Sequence, residues 1–416
     1  MTAIMVIGGG IAGTAAALAL HKAGFEVTVH EAHPDTGADI GAFLTLASNG
    51  MHALAQLDAA APVADLGFPI TGMSVIDETG ARLAAIPLGE HERPLTRYRC
   101  LRRADLGAAL QDEVRRRGIR IRHAARLTTV TESATGATAT FADGSSASAD
   151  LIVGADGLHS AVRAQLDPAA TGPDYAGQRV FYGYTTAYDF TAHDFTTDEL
   201  TADATPPPDA QDRITMVRGS GAALGYLVSP AGETFWFARV AGPALTAQEI
   251  TGTTPRQWRD QLLPLLRPDR TPAADIVAAT GDRLMATNAL HLRPGNRWHS
   301  RRIVLIGDAA HAASPATGQG ASMALEDAVV LAKALRDADT PGAALDSYEQ
   351  HRRPRAERNL TVSAQLTASR TTEGDQAPGS TAPQARDSER PAARLDEELL
   401  QLLDWDAELP RTPRPA

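Results

Sequence analysis

Three groups of residues in this sequence have the types and spacing to hold a phosphorylated dinucleotide. Gly8-Gly9-Gly10-Ile11-Ala12-Gly13 fits the pattern G-x-G-x-x-G. In that pattern Gly8 permits a tight turn, Gly10 lets the backbone approach a pyrophosphate, and Gly13 lets a helix pack closely on a strand. The unpaired N–H groups of the helix that starts at Ile11 and Ala12 favour negative charge. Glu31 follows 23 residues after Gly8. There it can accept hydrogen bonds from ribose hydroxyls, and its charge disfavours a 2′-phosphate. The fingerprint alone does not separate FAD from NAD, and a glycine-rich turn without a ligand carries the same letters.

The second group is Gly154-Ala155-Asp156-Gly157-Leu158-His159-Ser160, and the third is Gly307-Asp308-Ala309-Ala310-His311. Each places an aspartate just beyond an apolar run, where parallel sheets bind their ligands. Asp308 can accept from the ribityl hydroxyls of a flavin. Asp156 can face a ligand or hold its own loop. Further on, Gly318-Gln319-Gly320 precedes a long Ala/Leu-rich stretch. The N-terminus of such a helix can stabilise negative charge on a reduced flavin ring.

The elements that position these groups are legible from periodicity. Ala3 to Ile7 reads as a buried parallel strand, Ile11 to Lys22 as a helix stopped at Gly24, and Val27 to Glu31 as a second strand. A helix is expected over Arg103 to Arg117 and strands over Ile119 to Arg122, Thr138 to Phe141 and Leu151 to Val153. From about Gly172 to Asp282 aromatics and short strand-like runs concentrate, with Pro230 to Glu233 as a hairpin loop. Asp194 to Asp212, with three consecutive prolines, reads as an irregular excursion. The α/β pattern returns with a strand over Arg302 to Ile306 and a helix over Gly320 to Leu335. Another helix follows from Tyr348 to about Ala368, interrupted near Pro354. Thr371 to Ala393 has the composition of a disordered segment, and Leu395 to Leu403 reads as a short terminal helix.

Length and composition bound the rest. A chain of 416 residues exceeds one ordinary core and suggests two domains. The expected division is a discontinuous dinucleotide-binding domain, 1–171 and 283–370, around a sheet-rich substrate domain, 172–282, to which part of 40–100 can also belong. Residues 371–416 are left as a flexible tail. The net charge of -11 argues against nucleic acid and anionic membranes as partners. No apolar run reaches the length of a membrane span. One cysteine, Cys100, excludes an internal disulfide, reads as a buried thiol, and makes the cytoplasm the default compartment. No Cys/His spacing suggests a metal site. High Ala and Arg usage goes with GC-rich genomes and secondary metabolism.

Taken in order and spacing, the three motifs resemble those of the group A flavoprotein monooxygenases, the p-hydroxybenzoate hydroxylase-like family. Salicylate hydroxylases, zeaxanthin epoxidase and tetracycline-inactivating monooxygenases belong to it. The resemblance runs through Pro315, Glu326-Asp327-Ala328 and Arg352-Arg353-Pro354-Arg355, and covers roughly residues 3 to 365. Arg103-Ala104-Asp105-Leu106 is similar to the segment whose arginine contacts FAD in many members. The fold implied is α/β: a Rossmann-like, three-layer FAD-binding domain of the GR2 type with an inserted substrate domain. The cofactor implied is FAD, with NADH or NADPH as transient co-substrate and O2 and a small molecule as reactants. NADH or NADPH would reduce the flavin, and a flavin hydroperoxide would oxygenate an aromatic or polycyclic compound. The chemistry is then the cofactor's, which fits the lack of a recognisable catalytic triad or acid/base dyad. A non-oxygenating flavin dehydrogenase or reductase, or a flavin-binding protein without turnover, would share the motifs. A halogenase fits less well, since no Trp-x-Trp-x-Ile segment is present.

Two departures stand out. Ser322 occupies a position where many members have Asn, and no Arg lies between Glu31 and Gly41. Several single residues have two readings. His311 can approach the flavin or make a structural hydrogen bond. His159 and Arg163 can meet a nicotinamide phosphate or serve their own loop. Pro315 shapes the flavin face by resemblance, or simply stops a loop. Of Phe181, Tyr182, Tyr184, Phe235, Trp236 and Phe237, strand alternation should send about half to a pocket and half to the core.

Overall fold

The computed structural model describes residues 2–36, 42–90, 92–186, 212–372 and 397–410, and no side chains in 369–372. Most of the proline-rich excursion after Asp194 and most of the tail after Thr371 therefore lie outside the described residues.

The apolar runs at Ala3–Ile7, Leu151–Gly154 and Ile303–Leu305 lie side by side because nothing polar in them needs water. They form a five-stranded parallel sheet in the order Ile303–Leu305, Leu151–Gly154, Ala3–Ile7, Glu26–His30, Arg120–Arg122. The helices Ile11–Lys22, Arg103–Arg116 and Gly320–Asp337 pack together beside it. Alanines 15, 16, 17 and 19 and leucines 18 and 20 are fully buried, so the first helix can lie close to its neighbours. A three-stranded antiparallel sheet, Leu127–Glu132, Ala137–Phe141 and Ser146–Ala149, completes a three-layer domain.

The second sheet has seven strands in the order Leu284–His291, Asp174–Thr185, Thr234–Ala241, Ala223–Val228, Arg213–Arg218, Gly72–Asp77, Arg82–Pro87. It draws on residues outside 172–282 at both edges, because Gly72–Asp77 pairs in parallel with Arg213–Arg218 and Leu284–His291 pairs with Asp174–Thr185. The hairpin at Pro230–Glu233 closes as expected, with Ser229 N–H donating to the carbonyl of Glu233 at 2.8 Å. The helices Pro255–Leu266 and Ala273–Ala278 cover the back of this sheet. Reading the region as strands alone passes over the capping box of Thr254 and Gln257, with Pro255 at the first helical position.

One expectation needs correction. The long helix runs unbroken over Pro341–Thr372 and passes through Pro354. A mid-helix proline removes one hydrogen bond. Here the fully buried Tyr348 and Arg352 anchor the helix to the core just ahead of it, so tertiary contacts override the local preference.

Candidate active site

The ends of the parallel strands and the face of the seven-stranded sheet line one cavity of about 1290 Å³. That exceeds the roughly 300–1,000 Å³ typical of a pocket for one small ligand, and it leaves room for a dinucleotide together with a second molecule.

One end is built by the glycine turn. Gly8 sits at φ +106°, and its N–H donates to the carbonyl of His30 at 2.8 Å. A Cβ at Gly13 would collide with the carbonyl oxygen of Gly8, so this glycine is required for the turn to fold back on its own helix. A Cβ at Gly10 would meet no atom within 4 Å and would project into open space. Gly8, Gly10, Ile11 and Ala12 line the cavity, and Gly13 lies behind it. Glu31 also lines this end. Its carboxylate accepts from Gly9 N–H at 2.5 Å and from His33 N–H at 2.7 Å, which fixes both oxygens beside the turn.

The two aspartates that follow strands behave differently. Asp156 lines the cavity, but its carboxylate accepts from the Ser160 hydroxyl (2.5 Å), Ala161 N–H (2.7 Å) and Val162 N–H (3.1 Å). Burial pushes its carboxyl above the usual range, against these hydrogen bonds. Asp156 therefore holds its own loop. Asp308 opens a short helix after Gly307, is exposed to the cavity, and has no partner among the described residues. Arg103 likewise lines the cavity, and its side chain makes no hydrogen bond or ion pair among the described residues.

Gly307 lies behind the wall. Its N–H donates to Asp327 at 2.8 Å, and a Cβ there would press on that of Ala12 at 2.9 Å. Pro315, Gly318 and Gly320 line the middle of the cavity, ahead of the helix Gly320–Asp337. Gln319 turns away and accepts from Asn49 at 3.1 Å. Ser322 is fully buried and accepts from Ala47 N–H at 3.1 Å, so it braces the neighbouring helix and does not reach the cavity.

A buried ionic network supports this wall. Arg352 pairs with Glu326 at 2.6 Å and with Asp327 at 2.7 Å, and all three are fully buried. Arg355 and Asn49 also donate to Glu326. His311 hydrogen-bonds Asp327 at 2.6 Å, which makes it structural. Burial alone would raise Asp327, but His311 and Arg352 outweigh it and hold its carboxyl far below the usual range. Arg163 is also structural: it donates to the carbonyls of Ala309 and Leu158, while His159 stays exposed at the rim.

The far end is the face of the seven-stranded sheet. Tyr182 and Phe237, directly opposite each other in register, line the cavity with Val180, Ile214, Met216, Met73 and Val75. Phe181 and Trp236 point to the back core. Tyr184 and Phe235 share the front face but stack edge-on to Phe43, away from the cavity. Sequence reasoning passed over Arg218 and Arg239, which line this apolar half. The signal for Arg239 was present: a lone charge in the otherwise apolar run of Thr234–Ala241. Cys100 is completely buried, and burial pushes its thiol far up. Among the described residues no cluster of His, Cys, Asp or Glu could hold a metal, and no helix is long and apolar enough to cross a membrane.

The cavity fits FAD at the nucleotide end: an open cradle at Gly10, an acid beside the turn, and Asp308 and Arg103, which make no side-chain hydrogen bond or ion pair among the described residues. Known proteins agree. The family model described as an FAD binding domain matches residues 1–363. The 3-amino-4-hydroxybenzoate 2-monooxygenase PtmB3 of Streptomyces platensis is 34% identical, covering 85% of this chain and 84% of its own. An FAD-dependent urate hydroxylase of Klebsiella pneumoniae is 31% identical over 86% and 88% of the two chains. The crystal structure of Klebsiella pneumoniae HpxO complexed with FAD and uric acid superposes with a TM-score of 0.75 and 27% identity, covering 89% of this chain and 88% of that one. The chain belongs to the group A FAD-dependent monooxygenase family.

Proposed function

We propose that this protein uses NADH or NADPH and O2 to insert one oxygen atom into an aromatic or polycyclic small molecule, with FAD as its resident cofactor. One observation carries the reading. A single cavity runs from the dinucleotide turn, past Pro315 and Gly318, to the apolar face formed by Tyr182 and Phe237. A cofactor held at one end would meet a flat apolar molecule held at the other. The names of the relatives, an aminohydroxybenzoate monooxygenase and a urate hydroxylase, support a ring-shaped substrate.

The residues divide the work. Gly8, Gly10 and the N–H groups of Ile11 and Ala12 would receive the pyrophosphate, and Glu31 the ribose. Arg103 and Asp308 would bind the remaining polar parts, Asp308 through hydroxyl groups. Gly13, Gly307 and Gln319 would shape these contacts from behind, and Asp156 by holding its own loop at the cavity wall. When bound, FAD supplies hydride acceptance from the nicotinamide and activation of O2. The helix N-terminus at Gly318–Gly320 would stabilise negative charge on the reduced ring. Val180, Ile214, Met216 and Phe237 would exclude water and so limit nicotinamide oxidation that yields no product. The seven strands from Gly72–Asp77 to Leu284–His291 described above would serve as the substrate side.

The test is direct. Protein purified without added flavin should show flavin absorbance and release FAD on denaturation. NADH and NADPH oxidation and oxygen uptake are then followed across phenolic and polycyclic compounds in labelled O2. A substrate-stimulated rate with one labelled oxygen in the product is the expected result. Nicotinamide oxidation that never labels a product would favour a dehydrogenase or reductase. Protein that neither carries nor takes up FAD would overturn the proposal.

A further inference from the structure

Three helices start at the cavity wall and finish together at a second place. Ile11–Lys22 starts at the dinucleotide turn. Gly320–Asp337 starts at Gly320, which lines the cavity. Ser48–Gln56 starts beside them, with Asn49 donating to Gln319 and Ala47 N–H donating to Ser322. Their last turns meet residues 397–410, a strap that opens with the helix Glu397–Leu403. None of the strap's described residues lines the cavity. The first helix, 12 residues long, holds the two places about 18 Å apart.

The strap is tied to all three helices. Leu399 and Leu403 are buried in the same core as those helices. Lys333 is completely buried, and a buried ammonium needs acceptors. It finds them in the strap, donating to the carbonyls of Leu402 at 2.8 Å and Asp404 at 2.5 Å, groups that a helix end leaves without an internal partner. Lys22 and Arg336 both lie over the Trp405 ring, at 5.1 and 5.2 Å from its centre. The backbone N–H of Trp405 donates to the Gln56 side chain at 2.8 Å, and its carbonyl accepts from Arg336 at 2.6 Å. Trp405 alone therefore joins the final residues of two helices to the last turn of the third. Further on, His351 donates to the carbonyl of Pro410 at 3.0 Å.

We propose that the strap is a clamp coupled to FAD: docked, it fixes the three helices in the arrangement the cofactor needs, and bound FAD in turn holds the strap down. The cofactor meets the N-terminal ends of these helices and the strap meets their C-terminal ends, so both select one packing of the same three elements. Rigid helices on a common core can carry such coupling. It must be reciprocal: the factor by which the docked strap tightens FAD equals the factor by which FAD tightens the strap. The strap lies outside residues 1–363, the stretch that the FAD binding domain model matches. The coupling rests on FAD at the glycine turn and is independent of the reaction proposed above.

The experiment uses the full chain, flavin-free and FAD-loaded. Hydrogen exchange of the backbone amides in 399–405 is followed by mass spectrometry, with the helix Pro255–Leu266 behind the other sheet as reference. FAD should slow exchange in the strap about fivefold or more and leave the reference helix unchanged. FAD affinity is then measured by fluorescence quenching. Leu403→Asp and Trp405→Ala, made together, should free the strap, seen as exchange at the rate of an unfolded chain, and should weaken FAD by the same factor. Trp405→Phe keeps a ring beneath the two cations and should keep most of the affinity. An effect of FAD on the strap no larger than that on the reference helix would overturn the proposal. So would a freed strap with wild-type FAD affinity. A loss of melting temperature equal with and without FAD would also overturn it, because the strap would then only stabilise the fold. Oxygen insertion into a substrate by a variant with a freed strap and wild-type FAD affinity would keep the monooxygenase and remove the clamp.

Discussion

Gly10 and Gly13 belong to one fingerprint, yet alanine should fail at each for a different reason. The Cβ of Gly13→Ala would overlap the carbonyl oxygen of Gly8 and lie 3.2 Å from Val6. Both obstacles belong to the turn and the central strand, so neither can swing away. Overpacking of this kind costs about 1–3 kcal/mol, and backbone on one side argues for the upper end. For a domain of roughly 150–250 residues, 3 kcal/mol corresponds to about 6–12 °C in melting temperature. Gly10 has φ -76° and ψ -167°, which alanine adopts without strain, and its Cβ meets nothing. Gly10→Ala should therefore leave the flavin-free protein within about 1 kcal/mol of wild type, given the mild loss of a glycine N-cap. It should weaken FAD by about tenfold or more, near 1.4 kcal/mol, because the methyl occupies the space a pyrophosphate needs. Thermal unfolding of flavin-stripped protein and FAD titration by fluorescence quenching separate the two effects. Wild-type FAD affinity in Gly10→Ala would refute the assignment of the pyrophosphate to this turn. Wild-type melting of flavin-free Gly13→Ala would refute the packing argument.

The two aspartates should also part company. Asp308→Ala should lower FAD affinity roughly tenfold with little change in apoprotein melting, whereas Asp156→Ala strips three donors of their acceptor and should cost about 1–2 kcal/mol of apoprotein stability; the same two assays report both. The buried ionic network should make the protein acid-sensitive. The native pKa of Asp327 lies below its unfolded value, about 3.9. The native state then binds fewer protons, so this contribution is complete above about pH 4–5 and declines as the pH falls toward the native value. Urea midpoints should drop between pH 5 and 3 in the wild type. Asp327→Asn, which leaves Arg352 short of one partner in the core, should be about 3–5 kcal/mol less stable at pH 7 and flatter across that range. A variant as stable as wild type at pH 7 would remove the network from any structural role.

What was legible from sequence was what is encoded locally. The strand Ala3–Ile7 and helix Ile11–Lys22 stand as the apolar pattern and Gly24 indicated, because strand, turn and helix lie within two dozen residues. The hairpin at Pro230–Glu233 is equally local. The seven-stranded sheet is not. Its join between Gly72–Asp77 and Arg213–Arg218 links segments about 140 residues apart, and no nearby residue announces a parallel pairing of that kind. Helix Pro341–Thr372 shows the opposite error, where a strong local signal at Pro354 is overruled by the burial of Tyr348 and Arg352.

The same distinction explains why motifs located the cofactor end and left the substrate end blank. A glycine turn acts through its own backbone, so its chemistry can be read from six consecutive letters. Arg218 and Arg239 line the apolar half only because three strands align them across Ala223, and a shift of one residue in either pairing would send an arginine to the opposite face. Even within a motif, position does not settle role. Asp156 and Asp308 both follow parallel strands at the same end of the sheet. Ser160 and the N–H groups of Ala161 and Val162 capture the first, while the second has no partner among the described residues and faces the cavity. A serine four residues downstream, at the start of a helix, is the visible difference between them: it turns an acid at the end of a strand into a cap, and its absence after Asp308 leaves a carboxylate available to a ligand.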